Sequence, residues 1–222
     1  MNITNFRTLL FDCDGVVLNS NSIKTKAFRS VTLPFGKKAS DTLISYHVAN
    51  GGISRYKKID YFVDEILPAT QPNNLATDRP LLKKKLLCQF AAYVKKELVK
   101  CDIAEKIIEL RHKTASASWF IVSGGDQNEL REVFKHRGLD KYFDGGIYGS
   151  PFTKTDIVQQ LSNERKLHHP ALFIGDSRLD HQVAEAFKID FLFVSQWTEF
   201  DSWRSYCNEH HVKVVESLKL LL

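Results

Sequence analysis

A short apolar segment that stops at two carboxylates constrains the fold of this chain more than any other feature. Thr8–Phe11 has the character of a parallel strand covered on both faces, and Asp12, Asp14 and Gly15 follow it closely. Because side chains alternate along extended backbone, Asp12 and Asp14 are expected on the same side of the chain, just beyond the strand. Two carboxylates this close repel each other unless a cation or a proton lies between them, which indicates a divalent-metal site, an acid–base pair or both. An ordinary surface turn is the competing interpretation, since Asp and Gly are common turn residues.

The segment that follows, residues 16–100, has the apolar spacing of helices and no strand pattern. Four helices are expected, each with a start or stop signal. In chain order, the first ends at Pro34 and Gly36, the second starts at Ser40 or Asp41, the third runs from a Ser54 cap to Pro68, and the fourth starts at Pro80. The polar stretch 69–78 is predicted to be a loop. An all-helical block of this length after one core strand predicts a separate cap domain.

Beyond residue 100, helical segments alternate with short apolar strands. The predicted strands are Trp119–Val122, Ala171–Ile174 and Phe191–Val194, with a weaker one at Gly146–Tyr148. The predicted helices are one capped by Asp102, then Gln127–His136, 154–164 and Arg178–Phe187. This alternation predicts an α/β fold with a doubly wound, Rossmann-like parallel sheet and right-handed crossovers. We therefore expect an α/β core of residues 1–16 and 98–222, with the helical cap domain over residues 17–97.

Composition narrows the class of protein. The 222 residues, 43% of them hydrophobic, are enough for a full core, and the net charge of +5 is spread along the chain. The tight basic runs, Lys83–Lys85 and Lys95–Lys96, fall in a helical pattern, which favours a solvated helix face over a nucleic-acid site. The four cysteines form no Cys-x-x-Cys pair, which argues against zinc and disulfides and favours the cytoplasm. No apolar run approaches the roughly 18 residues of a membrane span, so we expect a soluble monomer or homodimer with no membrane partner.

Polar residues follow three of the predicted strands at their carboxyl ends. Asp12 and Ser123 come directly after a strand, and Asp176 comes one glycine after another. In an open parallel sheet these ends line the crevice where ligands bind, and Lys154 could join them from the start of its helix. Carboxylates suit Mg²⁺, whereas a hydroxyl, an ammonium and the N–H groups of glycine-rich turns suit phosphate oxygens. The pattern therefore predicts a site for a phosphate and a magnesium ion.

In this order the residues resemble four motifs of the haloacid dehalogenase superfamily of phosphatases and phosphomutases. The closest resemblance is to its phosphoglycolate phosphatase and β-phosphoglucomutase-like branch. The motifs are Asp12–Val16, Ser123 with Gly124, Lys154, and Gly175–Ser177 with Asp180. The helical block lies where this family inserts an alpha-helical cap. Each motif alone is weak, but four in the right order, each on the expected element, argue against coincidence.

The resemblance implies a catalytic role for three aspartates. Asp12 would be the nucleophile that attacks phosphorus and forms an aspartyl-phosphate intermediate. Asp14 would protonate the leaving oxygen and then deprotonate the water that hydrolyses the intermediate. Mg²⁺ would be held by Asp12, the backbone carbonyl of Asp14 and the carboxylate of Asp176. Family members that cleave carbon–halogen bonds lack a carboxylate at the position of Asp14, so its presence favours phosphate esters.

The resemblance also implies which groups bind the phosphate. Ser123, Lys154 and the backbone N–H groups around Asp14 and Gly124 would hold its oxygens. Asp180 would orient metal-bound waters or pair with Lys154. Taken singly, Ser123, Lys154 and Asp180 are equally explained as a helix cap, a surface lysine and a first-turn acid.

Substrate choice is expected to depend on the cap. Gly51–Arg55 resembles a loop that reaches over the active site in β-phosphoglucomutase-like members, where Arg55 could grip an anionic group bidentately. The competing interpretation is that Ser54 only caps a helix and Arg55 is a solvated residue of its first turn.

The resemblance implies a Mg²⁺-dependent phosphatase acting on a small phosphorylated metabolite, such as a sugar phosphate or a related organic phosphate. A phosphomutase of the β-phosphoglucomutase type is the alternative, because the core motifs do not separate the two. A signalling receiver domain is disfavoured because it has no long helical insert. A catalytically silent binding protein is also disfavoured, because it would not need the complete set of polar motif residues that is present here.

Overall fold

The core of the protein is a six-stranded parallel sheet with helices on both faces. The computed structural model describes residues 1–71 and 78–222. Its strands are β1 (Thr8–Phe11), β2 (Ser118–Asp126), β3 (Gly146–Ser150), β4 (Ala171–Gly175), β5 (Asp190–Val194) and β6 (Lys213–Val215). They lie in the order β3-β2-β1-β4-β5-β6, and each neighbouring pair is parallel. The predicted doubly wound α/β fold is confirmed.

The first strand lies in the middle of the sheet. Phe11 is in register with Ile121 of β2 on one side and with Ile174 of β4 on the other. After β1 the chain builds β2 and β3 on one side and then returns to build β4, β5 and β6 on the other, so the strand order reverses between β1 and β4. A crevice forms outside the carboxyl ends of two such strands. Asp12 and Asp176 follow β1 and β4 at this crevice.

Helices form the insert between β1 and β2 and cover the sheet. The insert contains α1 (Asn21–Thr32), α2 (Lys37–Ala49), α3 (Arg55–Tyr61), α4 (Leu67–Thr70) and α5 (Arg79–Leu98). The core helices are α6 (Ile107–Lys113), α7 (Gln127–His136), α8 (Lys154–Asn163), α9 (Arg178–Ala186) and α10 (Trp203–Glu209). Among the described residues the insert contains helices and no strand, as expected of a helical cap, whereas domain boundaries at 17 and 97 stay a prediction. No helix of residues 1–71 and 78–222 combines the length and apolarity needed to cross a bilayer.

The two faces of β1 belong to different apolar clusters. Leu9 and Phe11 pack in a cluster that continues into the insert, whereas Leu10 packs in one covered by α8 and α9. In the insert, the rings of Phe28 in α1 and Phe90 in α5 lie 4.4 Å apart between centroids, and both are buried. Full burial of one such side chain contributes about 1.5–3 kcal/mol. The sheet and the insert are therefore held by one continuous hydrophobic core.

Two predicted helix ends in the insert are wrong. The second helix starts at Lys37, and Ser40, which was expected to cap it, is buried and accepts a hydrogen bond from the Thr32 hydroxyl at 2.9 Å. The third helical run does not end at Pro68, because a π-helical turn at Phe62–Ile66 leads into α4, which begins at Leu67 and continues past the proline to Thr70. Proline is tolerated in that first turn because its missing N–H has no intrahelical partner to lose.

The predicted start of the next helix, at Asp102, is also wrong. Asp102 accepts hydrogen bonds from Asn19 at 3.1 Å and 3.0 Å, and α6 begins five residues later at Ile107. Ile103 forms a short antiparallel bridge with Leu18, which fixes the return of the chain from the insert to the core. The predicted loop at 69–78 falls mainly on residues 72–77, which lie outside the described residues.

Candidate active site

The backbone holds Asp12 at the junction of the two central strands. Its N–H donates to the carbonyl oxygen of Ile174 at 2.9 Å, and its carboxyl group is 4% exposed. Burial raises the pKa of Asp12 to about 7, even though the ammonium of Lys154 opposes the change. The carboxylate is held on both sides, because Oδ1 accepts a hydrogen bond from the N–H of Cys13 at 2.6 Å and Oδ2 lies 2.7 Å from Nζ of Lys154.

Lys154 binds Asp12 and Asp180 together beneath the crevice. Its Nζ lies 2.7 Å from Oδ2 of Asp12 and also donates to Oδ1 of Asp180, and both Lys154 and Asp180 are essentially inaccessible to water. Thr153 starts α8 with a reciprocal capping box and so fixes Lys154 as the first helical residue. Ser177 caps α9 in the same way and donates to the second oxygen of Asp180 at 2.6 Å. Two helix starts therefore place one cation between two carboxylates.

Asp176 completes a cluster of three buried carboxylates. Ligand oxygens of Asp12, Asp176 and Asp180 all lie within 4.8 Å of one another. Burial, followed by the charges of Asp12 and Asp180, raises the pKa of Asp176 well above its usual value. Asn21 orients this carboxylate by donating to Oδ2 at 2.7 Å. One ammonium for three carboxylates leaves an excess of negative charge, and oxygen donors at this spacing fit a hard divalent cation such as Mg²⁺.

The carboxylate of Asp14 has its own partners, separate from this cluster. It accepts a hydrogen bond from the Ser20 hydroxyl at 2.5 Å and forms an ion pair with Lys24 of α1. Burial raises the pKa of Asp14, but Lys24 and the hydrogen bonds from Lys24 and Ser20 outweigh burial and lower the pKa below its usual value. Asp14 is therefore ionised at neutral pH. Gly15, at φ 78°, follows it and lies so close to the Asp176 carboxylate that any side chain here would overlap it.

The glycine-rich ends of β2 and of the cap loop meet above the crevice. A Cβ on Gly124 would overlap the carbonyl oxygen of Gly52, and one on Gly51 would lie 3.2 Å from Ser177. Ser123 is fully buried, and its hydroxyl oxygen accepts a hydrogen bond from the N–H of Gly125 at 3.0 Å. Close backbone approach at these glycines therefore brings the cap loop directly over the carboxyl ends of the strands.

Arg55 joins the cap to the core. Its guanidinium binds both carboxylate oxygens of Glu129 in α7, one at 2.9 Å, and the two side chains are 6% and 9% exposed. The neighbouring Tyr56 donates to Asp126, the N-cap of α7, at 2.6 Å. In this structure the guanidinium of Arg55 binds the Glu129 carboxylate. Whether Arg55 binds substrate stays a prediction.

A cavity of about 310 Å³ lies between the insert and the carboxyl ends of the strands. Of the residues singled out in the sequence, Asp12, Asp14, Arg55, Gly124 and Asp176 line it, and Lys154 and Asp180 lie buried against Asp12. Polar residues of the wall that sequence reasoning missed include Asn21, Lys24, His47 and Glu199. Asn21 and Lys24 lie in the first turns of α1, and nothing in their local sequence marks them as residues of a site.

The chain matches the family described as haloacid dehalogenase-like hydrolase over residues 9–194. It belongs to this family, and the resemblance inferred from the four motifs is confirmed, as is the expectation of a hydrolase. No curated protein matches the chain at a significant level.

Solved structures share the fold over nearly the whole chain. A predicted phosphatase from Clostridium acetobutylicum has a TM-score of 0.69 at 16% identity, with 97% of this chain and 96% of that chain covered. A β-phosphoglucomutase from Clostridium difficile has a TM-score of 0.69 at 17% identity, covering 97% and 93%. The HAD-hydrolase YfnB from Bacillus subtilis, in a form bound to magnesium, has a TM-score of 0.66 at 15% identity, covering 98% and 97%. At these identities the likeness concerns the fold.

Proposed function

We propose that this protein is a Mg²⁺-dependent phosphatase that hydrolyses a small phosphorylated metabolite through an aspartyl-phosphate at Asp12. The observation that carries the proposal is the arrangement around Asp12: a buried carboxylate at the switch point of the sheet, a lysine bound to it, and two further carboxylates within 4.8 Å. Family membership and neighbours named as phosphatases support the same reaction class.

The residues of the chain divide the reaction between them. One oxygen of Asp12 attacks phosphorus, and the bond to the leaving oxygen breaks. Lys154, held against Asp12 at 2.7 Å, is close enough to bind an oxygen of the transferred phosphoryl group, where charge is spread in the transition state. Gly124 lines the same cavity, and its backbone N–H is a further candidate donor.

We assign both proton transfers of the reaction to Asp14. The incoming phosphate dianion raises the pKa of this carboxyl group, so that it can donate a proton to the leaving oxygen. Once it is ionised again, Asp14 takes a proton from the water that attacks the phospho-enzyme. Lys24 and Ser20 keep its carboxylate oriented towards the cavity through both steps.

The carboxylate cluster fits Mg²⁺ by the chemistry of its donors, with Asp12, Asp176 and the backbone carbonyl of Asp14 as the proposed ligands. A bound Mg²⁺ would neutralise part of the negative charge when the anionic nucleophile approaches the anionic phosphate. Asp180 is proposed to support the site through Lys154. YfnB, with the same fold, is known in a magnesium-bound form, which supports this assignment.

The test is hydrolysis of p-nitrophenyl phosphate by the purified protein with Mg²⁺ or with EDTA. Asp12→Asn is expected to lower kcat/KM by roughly 1,000-fold or more, because the amide cannot serve as the nucleophile. Asp201→Asn, at an exposed position, is the matched control and retains full activity. Retained turnover in Asp12→Asn would contradict the proposal, and phosphate release that requires an added sugar bisphosphate would favour a phosphomutase.

A further inference from the structure

The cap wall of the cavity contains a buried lysine that has no acidic partner among residues 1–71 and 78–222. Lys58 of α3 is 2% exposed and lines the same cavity as Asp12. Among the described residues, no carboxylate oxygen lies within 4.0 Å of its Nζ. Buried cations in proteins are normally paired, because an isolated charge in an apolar site is costly. Lys58 therefore lacks the partner that its position requires.

The group that Lys58 does contact is neutral. Its Nζ lies 2.6 Å from Nδ1 of His47 and 3.4 Å from the carbonyl oxygen of His47. An ammonium that donates to Nδ1 leaves the proton of the imidazole on Nε2. This Nε2 is buried and has no hydrogen-bond partner within the described part of the chain. The pair thus presents a cation and an unsatisfied N–H donor side by side at the cavity wall.

The acids whose charges act on Lys58 have partners of their own. Asp14 is bound by Lys24 and Ser20, and Glu199 accepts a hydrogen bond from Thr25 at 2.6 Å. Burial, and then repulsion by Lys24, lowers the pKa of Lys58 to about 7. A bound anion would remove this penalty, in the way that Glu129 compensates Arg55 nearby.

We propose that Lys58 and His47 form a second anion subsite of the cavity, so that the substrate carries a carboxylate or a second phosphate besides the phosphate transferred to Asp12. This inference rests on the proposed phosphatase function. The subsite lies on the cap and the nucleophile on the sheet, so a substrate with two separated anionic groups spans both walls of the cavity. A phosphate ester with a neutral leaving group leaves the lysine and the imidazole N–H unpaired.

Binding to the Asp12→Asn protein tests the subsite without turnover. Calorimetry with Mg²⁺ compares two pairs of probes: 3-phosphoglycerate with glycerol 3-phosphate, and propane-1,3-diol bisphosphate with its monophosphate. We expect the probe with the extra anion to bind at least about 10-fold more tightly in one pair, because charge-assisted hydrogen bonds at buried sites have this strength. The pair that shows the preference identifies the anion as a carboxylate or a phosphate.

Two variants of neighbouring lysines provide the control. Lys58→Met, made in the Asp12→Asn protein, is expected to reduce the preference to less than about 3-fold, whereas Lys57→Met, at an exposed position on the same helix, retains it. Lys58→Gln, which keeps a donor but no charge, is expected to lose the preference as well. Circular dichroism verifies that each variant is folded. A preference that survives both Lys58 variants, or no preference in either pair, would overturn the subsite.

The proposed function and the subsite fail in different assays. Hydrolysis of p-nitrophenyl phosphate by the unmodified protein, combined with no preference in either probe pair, would remove the subsite and leave the phosphatase. A Lys58-dependent preference in a protein that hydrolyses no phosphate ester would retain the anion subsite and remove the phosphatase.

Discussion

The ion pair between Arg55 and Glu129 gives the sharpest prediction about how the cap is attached to the core. The pair is bidentate and nearly inaccessible, with 6% and 9% exposure, and the guanidinium lies 4.8 Å from the centroid of the Phe90 ring. Removing one partner of such a buried pair leaves an uncompensated charge and costs about 3–5 kcal/mol, whereas replacing both partners by apolar side chains costs much less. Arg55→Met and Glu129→Leu should therefore each destabilise strongly, and the double variant should recover much of the loss.

The measurement is urea unfolding of the wild type, both single variants and the double variant, followed by tryptophan fluorescence. The double-mutant cycle is expected to give a coupling energy of at least about 3 kcal/mol, because the double variant should lose no more stability than either single variant. Lys95 and Glu132 form the matched control, because they also join a helix of the insert, α5, to α7 at 2.7 Å but are 63% and 62% exposed. Their coupling should stay below about 1 kcal/mol. A stable Glu129→Leu protein, together with a rise in KM for Arg55→Met alone, would refute the clamp and assign Arg55 to the substrate.

Two further predictions concern charge in the cavity. Because the pKa of Lys58 falls from 10.5 unfolded to about 7 folded, the unfolded state binds more protons between these pH values, so wild-type stability should rise by up to about 1.4 kcal/mol per pH unit there. Lys58→Met should remove this rise in urea unfolding at pH 7, 8 and 9, and equal slopes would contradict the assigned burial. Mg²⁺ should raise the melting temperature of the wild type but not of Asp176→Asn, since a ligand of the native state stabilises it. An equal rise in both proteins, measured by scanning calorimetry against the control Asp201→Asn, would place the ion elsewhere.

The fold could be predicted from local sequence because its central strands are strongly apolar. β1 and the helix Gln127–His136 agree with their predicted bounds, and β2 and β4 extend only a few residues further than predicted. β6, Lys213–Val215, escaped prediction because it has three residues, two of them exposed, and forms at the sheet edge. The helix expected at Asp102 was wrong because a distant residue, Asn19, binds that carboxylate.

Some residues of the candidate site could be predicted from the sequence and others could not. Asp12 and Asp176 could be placed at the cavity because the ends of parallel strands converge whatever surrounds them, whereas Ser123 lies within β2 and is not among the lining residues. The ion pair of Arg55 with Glu129 could not be predicted, because the two residues are 74 positions apart. No local sequence pattern indicates which carboxylate of the core a cap arginine will meet. Lys58 and His47 are 11 residues apart on two different helices, so their contact depends on how α2 and α3 pack. Helix packing angles are set by the whole core and not by the spacing of these two residues.

The central claim is that an oxygen of Asp12 becomes bonded to phosphorus during turnover. The most direct measurement is to quench the protein in acid while it hydrolyses p-nitrophenyl phosphate with Mg²⁺, and to reduce it with borohydride, which converts an aspartyl-phosphate into homoserine. Peptide mass spectrometry should then find homoserine at position 12, and Asp14→Asn should increase its yield because hydrolysis of the intermediate loses its base. Aspartate unchanged at position 12 in a protein that is turning over, or homoserine at any other position, would contradict the account.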